Sequence, residues 1–341
     1  MRVLVLGGTR FIGAAAVRVL HAGGHQVTCF HRGRNEAQLP ASVQHVYGER
    51  LDLEEFRQRF SSPGFDVLLD MRPLNADDAR AVMALADGTA QRVVAVSSMD
   101  VYRSFGVLVG KDTWPEGGTR TAVEDEDALL RASRHPHALD EPRAADDPMK
   151  WADDYDKIPA EEVFLGSRVP GTVLRLPMVY GPSDYHRRVG AYVHRMTGRK
   201  ALVLGEEHAG WRTTRGYIDD VGAGIALAVS DGLAAGKVYN VGEQTYLTEL
   251  EWVQAIAEAC GWPGRVVVVG ESELPESLRA GINAAQHLRL DSSRIRRDLG
   301  YLEGLTQTEA IARSVAWELA HPPLDLPDRS EEDALLGRLG A

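Results

Sequence analysis

The stretch Val5-Leu6-Gly7-Gly8-Thr9-Arg10-Phe11-Ile12-Gly13 decides how the rest of the chain is read. It follows an apolar run of strand length, Arg2 to Leu6, and opens a helix-like segment, Ala14 to Ala22, that stops at Gly23-Gly24. Gly7 permits a tight turn, and a turn without side chains lets backbone N–H groups come close to a phosphate. Gly13 lets the helix pack hard against the strand, and the positive end of the helix favours the negative charge. A glycine cluster alone is weak evidence. One placed between a buried strand and a helix reads as a dinucleotide phosphate turn, with Thr9, Arg10, Phe11 and Ile12 completing its wall.

Working outward, strand-like and helix-like segments alternate. Gln26–Phe30, Phe65–Asp70 and Arg92–Ser97 read as strands, and Leu53–Phe60 and Ala76–Leu85 as helices. After residue 154, Glu161–Gly166 continues a helix, Gly171–Leu176 and Lys237–Val241 read as strands, and Tyr217–Ser230 contains a helix. Leu247–Cys260 and Thr306–Leu319 read as helices around the strand-like Arg265–Val269, before a proline-rich, charged tail. This pattern predicts an α/β fold, a doubly wound parallel Rossmann sheet with a smaller, discontinuous C-terminal substrate domain. The dinucleotide domain is expected over 1–176 and 214–242, and the substrate domain over 177–213 and 243–325. Between Ser104 and Asp154 the pattern weakens into Gly, Pro, Asp, Arg and His, which reads as a 104–154 insertion or lid.

The second strand ends Cys29-Phe30-His31-Arg32-Gly33-Arg34, with no carboxylate in the run. An acid there would bond the ribose hydroxyls of NAD, whereas arginines pair with the extra 2′-phosphate of NADP. Arg10 and Arg32 therefore tilt the cofactor to NADP, with NAD as the alternative. Asp52-Leu53, after Gly48-Glu49-Arg50, is placed to meet the adenine.

Of the 341 residues 44% are apolar and 26% charged, as in ordinary globular enzymes. The net charge of −11 disfavours nucleic acid as a partner, because a polyanion is repelled. No apolar run reaches membrane-spanning length, and Cys29 and Cys260 form no disulfide framework, so a cytoplasmic setting with no membrane association is expected. His135, His137 and His186 lack metal-site spacing and read as surface residues.

Further segments carry a resemblance. Ser97-Ser98-Met99-Asp100-Val101-Tyr102, Leu174-Arg175-Leu176-Pro177-Met178-Val179-Tyr180-Gly181-Pro182, Arg215-Gly216-Tyr217-Ile218-Asp219-Asp220-Val221 and Val238-Tyr239-Asn240-Val241-Gly242 occur in order, followed by Leu290-Asp291 through Leu299-Gly300-Tyr301. With the glycine turn, they resemble the extended short-chain dehydrogenase/reductase family of NAD-dependent sugar epimerases and dehydratases. The Gly-Gly-Thr-Arg-Phe wording is similar to an atypical branch that includes chloroplast stem-loop RNA-binding proteins. The resemblance implies a hydroxyl at Ser98, backbone near Pro177 against the nicotinamide, and Arg215 on the substrate. It also implies a homodimer through helices near Ala76–Leu85 and Pro159–Gly166, and a small-molecule substrate of sugar or sugar-nucleotide type.

The family's proton-transfer pair is a Tyr followed four residues later by a Lys, which one helix face can carry. Here Lys157 is preceded at that spacing by Asp153, and the nearby tyrosine is Tyr155. In a regular helix Tyr155 and Lys157 point about 200° apart. Pro159 changes this, because proline belongs in a first helical turn, so that both residues fall in an irregular entry segment. Three readings stay open: Tyr155 and Lys157 as a displaced pair; Lys157 on the ribose with Asp100 or Asp153 as acid or base; or a decayed site in a dinucleotide-binding protein with a regulatory or RNA-associated role. The leading function is an NAD(P)-dependent oxidoreductase or epimerase acting by hydride transfer on a sugar-like or small hydroxyl or carbonyl substrate. Met99 stands where sugar dehydratases carry a second acid, which disfavours dehydration.

Overall fold

The structure is a computed structural model that describes residues 1–34, 37–50, 53, 64–325 and 328–340. Seven strands, β1 (Arg2–Leu6), β2 (Gln26–His31), β3 (Gln44–Tyr47), β4 (Phe65–Asp70), β5 (Ala90–Ser98), β6 (Gly171–Leu176) and β7 (Val238–Asn240), form one parallel sheet in the order β7-β6-β5-β4-β1-β2-β3. Chain direction across the sheet reverses between β1 and β4, and the carboxyl ends of these two strands open the crevice where such sheets bind ligands.

Side-chain alternation explains the two helical layers. Val3 and Val5 join the core with helix α1 (Phe11–Ala22), while Leu4 and Leu6 join the core with helix α2 (Ala76–Ala86) and with Ala160 and Phe164 of helix α3 (Lys157–Gly166). Helix α4 (Ile218–Ser230) returns from the C-terminal region to lie on α1, so closely that a Cβ on Gly222 would sit 2.9 Å from that of Ala15. The expected helix over Leu53–Phe60 lies outside the described residues except for Leu53, which is buried beside Leu6 and Phe30.

The remaining chain builds a second lobe. Met178–Tyr180 pairs with Arg215–Tyr217, and Ala201–Gly205 with Arg265–Val269, with helices Gly190–Met196, Glu249–Ala259 and Gln307–Ala320 around them. The proline-rich, charged tail carries helix Ser330–Leu339. Its Leu335 and Leu336 pack on Ala201 and Val203, and Glu332 accepts from Arg195, Arg199 and the Val203 amide. Among the described residues no helix is long and apolar enough to cross a membrane.

The Ser104–Asp154 stretch is docked on the rest of the chain. It holds most of the helix Arg103–Leu108, a two-residue strand Val123–Glu124 paired with Arg289–Leu290, and a turn at Lys150–Ala152. Trp114 donates to Gln286 at 2.8 Å, and Glu126 accepts from the Asn240 amide at 2.8 Å. Below it, Arg175 forms a buried pair with Glu161 at 2.7 Å and donates to Tyr102, whose own hydroxyl donates to Asn240 at 2.7 Å. This network ties β5, β6, β7, α3 and the insertion together. Glu161→Ala leaves a buried guanidinium without its counter-ion, so the chain is expected to lose roughly 3–5 kcal/mol of stability. A urea midpoint unchanged from the parent chain would contradict that.

Candidate active site

The phosphate turn is built by close approach. A Cβ on Gly13 would lie 2.6 Å from the Gly8 Cα, and one on Gly7 3.2 Å from the Met71 Cβ across the crevice. Gly7 and Gly8 have φ of +95° and +85°, and the following Phe11 is held at +35°, a strained value for a bulky residue. Arg10 caps α1 without a side-chain hydrogen bond, and the first turn of α1 holds no acid. The turn therefore presents amides and positive charge outward, and these fit a dinucleotide pyrophosphate. Thr9 is buried and Ile12 half-buried.

Around this turn stand further arginines. Exposed Arg32 follows β2, and Arg50 reaches Asp70 at the end of β4 at 2.9 Å and Asp78 at 3.0 Å. Arg72 lies over the Trp151 ring at 5.4 Å. Burial first, then the charges of Arg32 and Arg50, depress the Arg72 guanidinium despite Asp78, so the rim of the crevice carries closely spaced positive charge. Asp52, expected at the adenine, lies outside the described residues. Leu53 has its side chain in the core. Tyr185 went unassigned in the sequence reading: it lies under the Arg10 guanidinium at 5.0 Å and edge-on to Phe11 at 5.9 Å.

The carboxyl end of β5 brings the polar residues together. Ser98 caps the turn Met99–Val101 by accepting from the Asp100 amide. Helix α3 begins at Lys157, with Asp156 extended before it, so Tyr155 is outside the helix and turns to the same place as Lys157. The Tyr155 hydroxyl donates to Asp100 Oδ2 at 2.7 Å, and Lys157 Nζ donates to the Val96 carbonyl at 3.0 Å while lying 5.7 Å from the Tyr155 ring centre. His137, read from sequence as a surface residue, instead brings Nε2 within 3.3 Å of the same Asp100 oxygen. Asp153 faces elsewhere, with its carboxylate held by Arg143 and Lys150.

Burial sets the acid–base character of the cluster. It pulls Lys157 down to about 8, against the raising effect of Asp100 and Asp70. It also raises Tyr155 well above its ordinary value, and the Asp100 carboxylate adds to this, so Tyr155 is a neutral hydroxyl. Burial alone would raise Asp100, but the hydrogen bond and charge of His137, with Tyr155 and Arg131, hold it below the usual carboxylate range.

Other expected residues lie farther into the second lobe. Pro177 is buried at the crossing from β6, against Gly216 and Gly242. Arg215 is 5% exposed, donates to Glu249, and lies over Trp252 at 4.3 Å, so its charge is met inside the lobe. Arg187 and Arg188 are likewise paired, with Glu318 and Asp184.

Comparison with known proteins agrees with this architecture. Residues 3–105 match the model of the NAD dependent epimerase/dehydratase family. The chain is 24% identical over 281 residues to a chloroplast stem-loop binding protein of 41 kDa from Arabidopsis thaliana, covering 78% of this chain and 65% of that protein's length. It is 26% identical over 321 residues to a 2′-dehydrokanamycin reductase from Streptomyces kanamyceticus, covering 89% of this chain and 79% of the relative. A dTDP-glucose 4,6-dehydratase from Streptomyces venezuelae, solved with NAD bound, has the same fold at a TM-score of 0.68 and 20% identity, over 94% of this chain and 98% of that one. The glycine turn and the first five strands of the sheet lie within the residues that match the NAD dependent epimerase/dehydratase family model, and the chain as a whole has the fold of that solved structure.

Proposed function

We propose that the chain is an oxidoreductase or epimerase that uses a nicotinamide dinucleotide at a secondary hydroxyl or carbonyl of a sugar-like substrate. The convergence of Ser98, Tyr155 and Lys157 at the end of β5, beside the crevice, carries this reading. The bound dinucleotide supplies the hydride donor and acceptor. For the protein's part, the Gly7–Gly13 turn holds the pyrophosphate and the backbone near Pro177 borders the nicotinamide. Lys157 donates to the ribose, Ser98 holds the substrate oxygen, and Tyr155 exchanges the proton with it. The similarity to a 2′-dehydrokanamycin reductase and to a dTDP-glucose 4,6-dehydratase supports a substrate of that class. A decayed site with only a binding role is the weaker reading. Burying Lys157, Asp100 and Tyr155 together costs stability that a pure binder has no use for, and a charge of −11 opposes RNA.

Two finer points follow from the same residues. Arg10 and Arg32, on the adenosine side, favour NADP over NAD. Helices α2 and α3 pack side by side and offer the face for a homodimer, and the two unpaired cysteines suit a reducing cytoplasm. Light scattering at micromolar concentration checks the assembly, with a monomer counting against it.

In calorimetric titration NADP is expected to bind at least about tenfold more tightly than NAD, and Arg32→Ala to remove most of the difference. Equal affinities in the parent chain would remove the NADP assignment. Lys157 carries its charge below about 8, so affinity for the dinucleotide falls as pH rises through that value. Lys157→Met flattens this dependence; a profile that keeps its slope in the variant assigns the ionisation elsewhere.

A further inference from the structure

We infer that His137, delivered by the insertion, is the outer end of a proton relay that runs His137–Asp100–Tyr155 and serves the hydroxyl of Tyr155. The inference rests on the reading of Tyr155 as the proton-exchanging group.

Tyr155 is a neutral hydroxyl in a buried position, so it can give up its proton only if another is supplied to its oxygen. Its hydroxyl contacts Asp100 Oδ2, and Asp100 is 5% exposed, with no direct path to bulk water implied for its carboxylate. His137 Nε2 reaches the same oxygen at 3.3 Å while its side chain is 38% exposed, so the imidazole spans from buried carboxylate to solvent. Among the described residues Asp100 Oδ1 has no hydrogen-bond partner, so its polar contacts are made through Oδ2.

The loop is constructed to hold the ring there. Pro136 is buried, and His135 before it adopts a left-handed φ of +48°. Arg143 donates to the His137 carbonyl at 3.1 Å and Lys111 to the Ala138 carbonyl at 2.8 Å. The imidazole stands edge-on to Tyr155 at 5.0 Å and to Phe105 at 5.8 Å. The other charged or polar groups facing the relay are Arg131, which donates to the Asp100 carbonyl, Lys157, Ser98 and Arg143. Strain and anchoring of this kind mark an aimed side chain.

In carbonyl reduction the Tyr155 O–H bond breaks and its proton bonds to the substrate oxygen. The imidazolium of His137 loses its Nε2 proton to Asp100 Oδ2, and Asp100 passes it to the Tyr155 oxygen. His137 is left neutral and takes a proton from water, so Tyr155 and Asp100 end as they began. The relay moves the proton alone, and the electron pair arrives by the dinucleotide route proposed above. Oxidation runs the same steps backwards.

Two measurements on the full chain test this. With 15N-labelled histidine and no dinucleotide, the His137 Nε2 resonance is expected to shift in both Asp100→Asn and Tyr155→Phe; a signal unmoved in both overturns the relay. With NADPH and a panel of keto-sugars, His137→Gln is expected to lower kcat by about tenfold to a hundredfold with KM unchanged. In His137→Ala, added imidazole restores rate. An unchanged kcat in His137→Gln, or no rescue of His137→Ala by imidazole, overturns the relay. If the parent chain turns over nothing, the enzyme reading fails, and the resonance shifts alone decide whether the three side chains are coupled.

Discussion

Pro159 fixes where α3 can begin, and the candidate site depends on that start. In a helix extended upstream, the pyrrolidine ring would meet the carbonyl of Tyr155 and the missing N–H would break the ladder. The helix therefore opens at Lys157, where Pro159 falls in the first turn and costs no hydrogen bond. Asp156 is extended at φ −158° and ψ 107°, and the Asp156 amide is bonded to the Leu74 carbonyl at 2.9 Å. Tyr155, freed from helical geometry, turns to Asp100, and Lys157 turns to Val96. A spacing of two, unusable on a helix face, becomes usable at a helix entry.

Local chemistry was legible in the sequence and long-range pairing was not. The glycine turn, the alternation of β1, β2, β4, β5 and β6, and the entry of Lys157 into α3 all rest on neighbours within a few residues, and a sequence displays these directly. His137 was opaque because its partner stands 37 residues earlier in the chain and the loop carrying it has no period. Arg215 shows the same limit: its neutralisation by Glu249, 34 residues on, is set by the folding of the second lobe. The tail shows the same limit. Its prolines and charges suggest solvation, yet Glu332 is only 2% exposed because Arg195 and Arg199 meet it there.

An acidic chain that binds a polyphosphate must concentrate its positive charge, and the crevice does so. Arg32, Arg50 and Arg72 follow different strands and meet only in the folded sheet, while Arg10 lies over Tyr185 on the phosphate turn. Asp70, fully buried, holds Arg50 in place and keeps part of this charge from self-repulsion. The field is therefore local, which reconciles a net charge of −11 with an anion-binding turn.

Asp153, four residues before Lys157, has a structural use of its own. Its carboxylate accepts from the Arg143 backbone amide at 2.9 Å and from the Arg143 guanidinium. That same guanidinium donates to the carbonyl of His137. Asp153 thus anchors, through Arg143, the loop that brings His137 to Asp100 and beside the Tyr155 ring. A carboxylate at position 153 and the docking of the insertion are therefore one arrangement, because the guanidinium that Asp153 holds is the same one that fixes the His137 backbone.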